Sequence, residues 1–296
     1  MTFDSIDALQ TALAQHAYIA DRSLTTAIYL ALKLNKPLLL EGEAGVGKTE
    51  IAKTLARMLD RHLIRLQCYE GLDVNTTIYE WNYARQMLAI RMLEVTGGKS
   101  EAAISNIFGP EFLIKRPLFQ AIEESTVAPP VLLIDELDRA DEEFEAFLLE
   151  LLSDWQISIP EIGTVRAATP PTVIITSNRT REVHDALKRR CLFYWVDYPT
   201  LEKELEIVRA RVPGAGERLS RQVVTFVQEL RRMDLYKLPG VAETLDWVTA
   251  LVALDAAELS QGVVEDTLGA ILKFQDDIAQ VRGKQVTELL KKAAAV

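Results

Sequence analysis

The chain has 296 residues, 49% hydrophobic and 26% charged, a composition typical of a globular protein with one large or two ordinary domains. Its formal net charge of −10 argues against non-specific binding to nucleic acid, and no apolar run approaches the roughly 18 residues of a membrane span. Its two widely separated cysteines offer no disulfide framework or metal-ligand spacing, and without a basic signal-peptide start the expected location is the cytoplasm.

Two stretches with helical apolar spacing, 5–20 and 23–34, come first in the chain. They precede LLLEGEAGVGKT at 38–49, in which a short apolar run leads into a glycine-rich loop. Residues 42–49 match the phosphate-binding P-loop pattern G-x-x-x-x-G-K-[ST] at every position. Apolar residues then recur at helical spacing, so the loop is predicted to lie between a buried strand and a helix.

The P-loop residues have expected roles in binding a nucleoside triphosphate. Gly42 and Gly47 allow backbone conformations in which successive N–H groups turn toward phosphate oxygens. Lys48 can reach the β- and γ-phosphates, and the Thr49 hydroxyl can coordinate Mg²⁺. The predicted nucleotide contacts are Gly42, Glu43, Ala44, Gly45, Val46, Gly47, Lys48, Thr49 and Glu50. The alternative is a glycine turn that binds nothing.

The segment just upstream of a P-loop strand could lie over the adenine base. Tyr18 and Ile19 are the candidates for that contact. Packing between helices explains the same two residues equally well.

A second strand is predicted at 63–67, and the segment after it, about 69–110, is longer than an ordinary connection. Its main features are Tyr69, Tyr79, Trp81, Tyr83, a helical stretch at 84–95 and a loop at 97–100. A surface insertion rich in aromatic residues suggests contact with a partner or substrate. Local packing of the rings is the alternative.

The third strand ends in two carboxylates, Asp135 and Glu136, after the apolar run 131–134. Parallel sheets place such residues at their carboxyl edge, where α/β proteins bind ligands. Asp135 is expected to hold Mg²⁺ through its water shell, and Glu136 to polarise the water that attacks the γ-phosphate. Two acids in a solvated turn are the alternative.

Two further strands end or begin beside candidate functional residues. The fourth strand, 172–177, ends at Asn178, whose amide can hold the attacking water; a turn-forming asparagine is the alternative. Arg189 and Arg190 precede the fifth strand, 192–196, and could project into a neighbouring subunit's nucleotide as arginine fingers. Solvated cations at a helix end, favoured by the helix dipole, explain them equally simply.

No strand pattern remains beyond Pro199. Amphipathic helices are predicted at 201–211, 219–233, 243–259, 263–281 and 286–290. The sequence therefore predicts an α/β domain at 1–199, with an insertion at about 69–110 and a hairpin at about 156–166. An all-α domain follows at 200–296.

The order of these parts resembles the AAA+ ATPases and, among them, the MoxR family, over nearly the whole chain. The resemblance is carried by GEAGVGKT at 42–49, LLIDELDRAD at 132–141, TSN at 176–178 and ALKRRCLF at 186–193. The insertion and hairpin look like the helix-2 insert and pre-sensor-1 hairpin of that family. The segment 68–88, CYEGLDVNTTIYEWNYARQML, is most similar to the CoxD-type branch. Members of that branch are linked to maturation of molybdenum-containing carbon monoxide dehydrogenase and related hydroxylases.

The resemblance implies a five-stranded parallel sheet between helices, an α-helical lid, and a ring, usually hexameric, with ATP and Mg²⁺ bound between subunits. The family roles fall on Lys48 and Thr49 for phosphate and metal, Asp135 and Glu136 as the Walker B pair, Asn178 as sensor 1, and Arg190 as the arginine finger, with Arg189 as its competitor. The partners it implies are a protein with a von Willebrand factor A domain and a metalloenzyme client remodelled for cofactor insertion.

One part departs from the family pattern. The second sensor of the family is an arginine at the start of a lid helix, whereas GVAET at 240–244 contains no basic residue. Either another lid arginine replaces it, or the lid is coupled more weakly to the γ-phosphate. Two alternative functions are a AAA+ motor or loader acting on nucleic acid, which would need a basic, aromatic pore, and a small-molecule P-loop kinase.

Overall fold

The computed structural model describes residues 3–96, 106–125, 129–160 and 162–294, so the loop predicted at 97–100 lies outside the described residues. The chain divides into two compact units. The first is formed mainly by Thr26–Glu41 and Ala52–Tyr194, and the second by Asp4–Thr25, Gly42–Ile51 and Trp195–Val296. The domain boundary near residue 199 stays a prediction.

The first unit is built on a parallel five-stranded sheet. The described strands are β1 (Leu38–Gly42), β2 (Leu63–Gln67), β3 (Tyr79–Trp81), β4 (Leu113–Lys115), β5 (Val131–Asp135), β6 (Gln156–Ile159), β7 (Gly163–Arg166), β8 (Thr172–Ser177) and β9 (Leu192–Val196). The sheet has the order β2-β5-β8-β1-β9, while β3 pairs with β4 and β6 with β7 in two small antiparallel ribbons. Every residue of β1 and β5 is buried, as expected of parallel strands covered on both faces. The predicted α/β fold class is confirmed.

Helices alternate with these strands along the chain and continue to the end of the described residues. Their bounds are Ile6–Gln15, Arg22–Leu34, Lys48–Leu59, Val74–Ile78, Tyr83–Thr96, Pro117–Glu124, Glu142–Asp154, Asp185–Lys188, Leu201–Arg211, Glu217–Leu230, Val241–Ala253, Gln261–Ile271, Gln275–Val281 and Lys284–Ala294. Side-chain caps fix several starts. The Asp141 carboxylate, for example, accepts the Phe144 backbone N–H at 2.9 Å.

The core of the first unit is a single apolar cluster around the sheet. It includes fully buried residues from β1, β5 and β8, among them Leu39, Ile134 and Ile175. Phe144 and Leu148 of helix Glu142–Asp154 pack into the same cluster at helical spacing. This packing holds the strand ends that carry the predicted site residues.

The aromatic residues of the insertion divide between two roles. Trp81 is only 9% exposed and packs edge-on against Tyr79 and Phe108, with ring centroids 6.0 and 5.5 Å apart. Tyr69 and Tyr83 are 52% and 67% exposed. Local packing therefore accounts for Tyr79 and Trp81, whereas Tyr69 and Tyr83 belong to the surface.

The helical part of the second unit corrects one prediction. The stretch 263–281, predicted as one helix, forms two, separated by residues 272–274. Phe274 has an extended backbone, with φ −120° and ψ 135°, and its ring lies 4.5 Å from that of Tyr236. The buried Asp277 carboxylate accepts the Tyr236 backbone N–H at 2.8 Å. These contacts with a distant segment turn the chain, so the continuous apolar spacing was misleading.

Three other helices end before the predicted residue. The helix predicted at 5–20 spans Ile6–Gln15, that at 219–233 spans Glu217–Leu230, and that at 243–259 spans Val241–Ala253. Among the described residues, no helix combines the length and apolar character needed to cross a membrane.

Candidate nucleotide-binding and catalytic site

The glycine-rich loop after β1 adopts a backbone that needs its glycines and buries its lysine. Gly47 has a φ of 95°, in the left-handed region that favours glycine. A Cβ added at Gly42 would lie 2.1 Å from the Val196 carbonyl oxygen, so no larger residue fits there. The Lys48 ammonium is 5% exposed and donates to the carbonyl oxygens of Gly42 at 2.7 Å and Glu43 at 2.6 Å. The loop thus keeps a buried cation at the start of a helix.

These residues fit the phosphates of a nucleotide and its Mg²⁺. The loop supplies backbone N–H groups, a helix N-terminus and the Lys48 cation, and Thr49 supplies a hydroxyl. No group of three or more His, Cys, Asp or Glu residues suited to a metal occurs among the described residues. Mg²⁺ commonly binds through one or two protein groups together with phosphates and water, which suits this donor set.

The two carboxylates at the end of β5 are held by a threonine that the sequence analysis did not assign. Asp135 is 3% exposed, and its Oδ1 accepts the Thr176 hydroxyl at 2.6 Å. The same hydroxyl oxygen accepts the Glu136 backbone N–H at 2.9 Å. Glu136 has φ 56° and ψ 51°, a left-handed conformation that costs a non-glycine residue roughly 1–2 kcal/mol. Thr176 therefore fixes both the buried acid and the turn that presents its neighbour.

Two polar residues of β2 contact the same carboxylates. Arg65 donates to Asp135 Oδ2 from Nη2 at 2.6 Å and from Nε at 3.1 Å. Gln67 donates to Glu136 Oε2 at 3.1 Å, and Arg139 lies 3.0 Å from that oxygen. Arg65 and Gln67 alternate with the buried Ile64 and Leu66 in LIRLQ. This alternation signals a polar face, but only the pairing of β2 with β5 shows what that face contacts.

The turn carrying Asn178 is held by another buried carboxylate, Asp138. Asp138 Oδ1 accepts the Asn178 backbone N–H at 3.0 Å, and Oδ2 accepts both the N–H and the hydroxyl of Thr180, at 2.9 and 2.6 Å. Burial by itself would raise the pKa of Asp138, but these hydrogen bonds outweigh it and hold the pKa below its ordinary value. Asn178 is thus placed at the end of β8, beside β5.

The two candidate finger arginines are at the surface. Arg189 and Arg190 are both exposed and follow helix Asp185–Lys188. Arg190 donates from Nε to the Ser153 hydroxyl at 2.9 Å and from Nη1 to the Ala186 carbonyl at 3.2 Å. Neither arginine is sealed in the core, so both are accessible to a neighbouring molecule.

In the second unit, the first turn of helix Val241–Ala253 lies on the P-loop. The Ala242 backbone N–H donates to the Gly45 carbonyl at 3.0 Å. The Glu243 carboxylate accepts the Gly240 backbone N–H at 3.0 Å, so this turn carries an acid and no base. A cation reaches the P-loop helix elsewhere, because Arg211 lies 3.0 Å from Glu50.

The adenine contacts stay a prediction. Tyr18 and Ile19 are half-buried after helix Ile6–Gln15, and the Tyr18 backbone N–H donates to the Leu13 carbonyl at 3.0 Å. This hydrogen bond holds the segment in place without assigning it a ligand.

The family model of the AAA domain, dynein-related subfamily, matches residues 37–191, which is more than half of the chain. The chain belongs to this AAA domain family. Membership implies ATPase activity in general, together with the use of a nucleotide and Mg²⁺, and proteins of the AAA+ class typically form oligomers. The matched residues of this AAA domain include the P-loop, Asp135, Glu136, Asn178 and both arginines.

Curated relatives of this AAA domain protein are distant. An uncharacterized protein of Staphylococcus saprophyticus is 24% identical over 230 residues, covering 75% of this chain and 78% of the relative. An uncharacterized protein of Staphylococcus haemolyticus is 26% identical over 250 residues, covering 82% of this chain and 86% of the relative.

Solved structures give weaker similarities. The RuvB Holliday junction branch migration motor of Thermotoga maritima has a TM-score of 0.46 at 17% identity, covering 84% of this chain and 67% of that one. A protein of Cytophaga hutchinsonii has a TM-score of 0.48 at 14% identity, covering 98% and 95%. Neither similarity bears on the function of this chain.

Proposed function

We propose that this protein is a ring-forming AAA+ ATPase of the MoxR type that remodels a metalloenzyme client while its cofactor is inserted. The observation that carries the proposal is the position of Thr176, whose hydroxyl joins the buried Asp135 to the left-handed turn at Glu136. A residue in so uncommon a conformation persists only where its surroundings hold it, and such residues cluster at functional sites.

Each residue of the site has a defined task in this proposal. Lys48 and the P-loop N–H groups bind the phosphates, Thr49 would coordinate Mg²⁺, and Asp135 would hold it through its water shell. When bound, Mg²⁺ neutralises charge on the phosphate oxygens. The Glu136 carboxylate accepts a proton from the attacking water, and the Asn178 amide orients that water. Arg190, or its competitor Arg189, stabilises charge on the phosphate bound by the next subunit of a ring, most simply a hexamer.

A surface on the insertion supports the chaperone part of the proposal. Helix Tyr83–Thr96 exposes several large apolar side chains, among them Tyr83, Met87, Leu88 and Met92. Methionine adapts to differently shaped apolar partners, which suits a surface that must hold a client during remodelling. The narrower assignment to the CoxD-type branch rests on the resemblance of residues 68–88 alone.

ATP turnover by the purified chain tests the catalytic assignment. We expect Glu136→Gln to lower kcat by roughly two to four powers of ten, because it removes the general base while preserving the size of the side chain. Glu142→Gln, at an exposed glutamate on the next helix, is the matched control and should turn over normally. Equal rates for Glu136→Gln and wild type would refute the assignment of the base.

The ring and its client need separate measurements. Arg190→Ala and Arg189→Ala subunits, each mixed with Glu136→Gln subunits, should turn over faster than the sum of the separate rates if that arginine acts on the neighbouring site. The ATP-loaded Glu136→Gln protein should capture a metalloenzyme and a protein with a von Willebrand factor A domain from the native cell. Salt-sensitive binding to single-stranded DNA would favour a nucleic-acid loader instead, and phosphoryl transfer to a metabolite would favour a kinase.

A further inference from the structure

A buried carboxylate directly before the P-loop takes no part in the chemistry described above. Glu41 is 3% exposed and pairs in the sheet register with Ser177 at the end of β8. Among the described residues its Oε1 has no hydrogen-bond partner, and Lys188 Nζ lies 3.5 Å from that oxygen. Burying a carboxylate with so long a contact is costly, so its position calls for a physical explanation.

The partner of Glu41 is placed next to the finger arginines. Lys188 is the last residue of helix Asp185–Lys188, and Arg189 and Arg190 follow it directly. One ion pair therefore joins the residue before Gly42 to the residue before the arginines. The two ends of this contact belong to different nucleotide sites if Arg189 or Arg190 acts on a neighbouring subunit.

Two other buried carboxylates hold the segment 178–190 more tightly. Asp138 accepts hydrogen bonds of 2.6–3.0 Å from Asn178 and Thr180. Glu145 pairs with Arg181 and accepts the His184 backbone N–H at 2.7 Å. Both fix the backbone at its start and middle. The contact between Lys188 and Glu41 is longer, at 3.5 Å, and it lies at the end of the segment that carries Arg189 and Arg190.

The P-loop offers a physical link between nucleotide binding and the contact that Glu41 makes. Lys48 donates to the carbonyls of Gly42 and Glu43, the two residues that follow Glu41 in the chain. When Lys48 turns to a phosphate oxygen, those carbonyls lose this donor, and the end of β1 that carries Glu41 loses one of its contacts. A ligand can shift a position only through contacts that differ between its bound and free states, and this is such a difference.

We propose that Glu41 is a positioning residue which, through Lys188, couples nucleotide binding in its own P-loop to the placement of Arg189 and Arg190 in the next subunit's site. The inference rests on the proposed ring function. It assigns Glu41 an effect on a neighbour's hydrolysis and none on the chemistry of its own site.

Mixed rings test this assignment. A Glu41→Gln subunit keeps its own catalytic residues but should misplace Arg189 and Arg190 in the neighbouring site. A Glu136→Gln subunit cannot hydrolyse ATP but should place both arginines normally. Glu41→Gln alone should turn over about a hundredfold more slowly than wild type, since a misplacement of about 1 Å costs this much. Glu136→Gln alone should be slower by roughly two to four powers of ten, because it lacks the general base. Mixed together, they should exceed the sum of the two separate rates, because Glu136→Gln subunits supply arginines to Glu41→Gln sites.

Three controls keep the outcomes distinct. Arg190→Ala and Arg189→Ala, each mixed with Glu136→Gln, are the reference for action on the neighbour; if neither mixture gains activity, the proposed ring function itself fails. Glu182→Gln, an exposed carboxylate of the same segment, should match wild type alone and in mixtures. Lys188→Gln should behave like Glu41→Gln, and the double variant should be no slower than either single one, since both break the same contact.

The inference is overturned if an arginine mixture gains activity but the Glu41→Gln mixture does not. It is also overturned if Glu41→Gln loses nucleotide affinity by tenfold or more, because its effect would then lie in its own site. Should Glu41→Gln fail to fold, the Lys188→Gln mixture decides by the same comparison, since Lys188 is only partly buried.

Discussion

Replacing Thr176 with valine removes the hydroxyl that joins Asp135 to Glu136 and leaves the shape of the side chain almost unchanged. Thr176 is 1% exposed, so water does not readily replace the lost group. Asp135 Oδ1 loses a donor at 2.6 Å, and the Glu136 backbone N–H loses an acceptor at 2.9 Å. Both groups belong to the residues that the proposal places at the metal and the attacking water.

The expected magnitude follows from these two contacts. A lost hydrogen bond to a charged group costs about 1.5–3 kcal/mol, and an orphaned buried donor costs about 1–3 kcal/mol. We therefore expect Thr176→Val to lower the free energy of unfolding by about 3 kcal/mol. The left-handed turn at Glu136 then lacks one of its holding contacts, and displacement of the base by about 1 Å should lower kcat by about a hundredfold.

Urea unfolding and ATP turnover measure the two effects separately. Thr172→Val is the matched control, because Thr172 lies on the same strand and its hydroxyl accepts only a 3.2 Å contact from Arg61 among the hydrogen bonds described for it. The free energy of unfolding of Thr172→Val should lie within about 1 kcal/mol of the wild-type value, and its ATP turnover should be normal. Thr176→Ser keeps the hydroxyl and should recover most of the lost rate.

A normal kcat for Thr176→Val would refute the proposed link between this hydroxyl and the catalytic turn. Equal losses of rate for Thr176→Val and Thr172→Val would also refute it, because a general weakening of β8 would then explain both. Nucleotide affinity measured without Mg²⁺ should change little in either variant, since neither side chain belongs to the P-loop.

Asp138 should make the free energy of unfolding depend on pH, because its pKa is lower in the folded state than in the unfolded chain. The stability that Asp138 contributes is complete above the ordinary pKa near 3.8 and is lost as the pH falls below that value. Urea unfolding at about pH 6 and about pH 3 should show a smaller difference for Asp138→Asn than for wild type, and an unchanged difference would contradict this. Gly42→Ala should destabilise the fold, because the added Cβ would meet the Val196 carbonyl oxygen at 2.1 Å. A Cβ added at Gly47 would meet no atom within 4 Å, but alanine disfavours the φ of 95° that this loop residue adopts. Gly47→Ala should therefore mainly weaken nucleotide binding. Equal losses in the free energy of unfolding for the two glycine variants would count against this distinction.

The strands and the P-loop could be predicted because their signals are local. A parallel strand covered on both faces is a short apolar run, and the observed β2, β8 and β9 have the predicted bounds. A P-loop needs glycine, lysine and threonine at fixed spacing within eight residues. Neither feature depends on which strands become neighbours.

Other features were settled by contacts between distant parts of the chain. The apolar spacing of 263–281 continues across the break at 272–274, and Asp277 and Phe274 reveal that break only through their contacts with Tyr236. The lack of a basic residue at 240–244 was visible in the sequence. The ion pair between Arg211 and Glu50 could not be predicted from the sequence pattern, because 161 positions separate the two residues.

By itself, the sequence determined the α/β class, the P-loop and the two acids after a buried strand, since each depends on residues close together along the chain. Only the tertiary structure decided which side chains hold those acids. The strand order β2-β5-β8-β1 places Arg65 and Gln67 on one side of Asp135 and Glu136, and Thr176 on the other. Hydrogen bonds across neighbouring parallel strands join residues far apart in sequence, so no periodicity within a single strand could have predicted them.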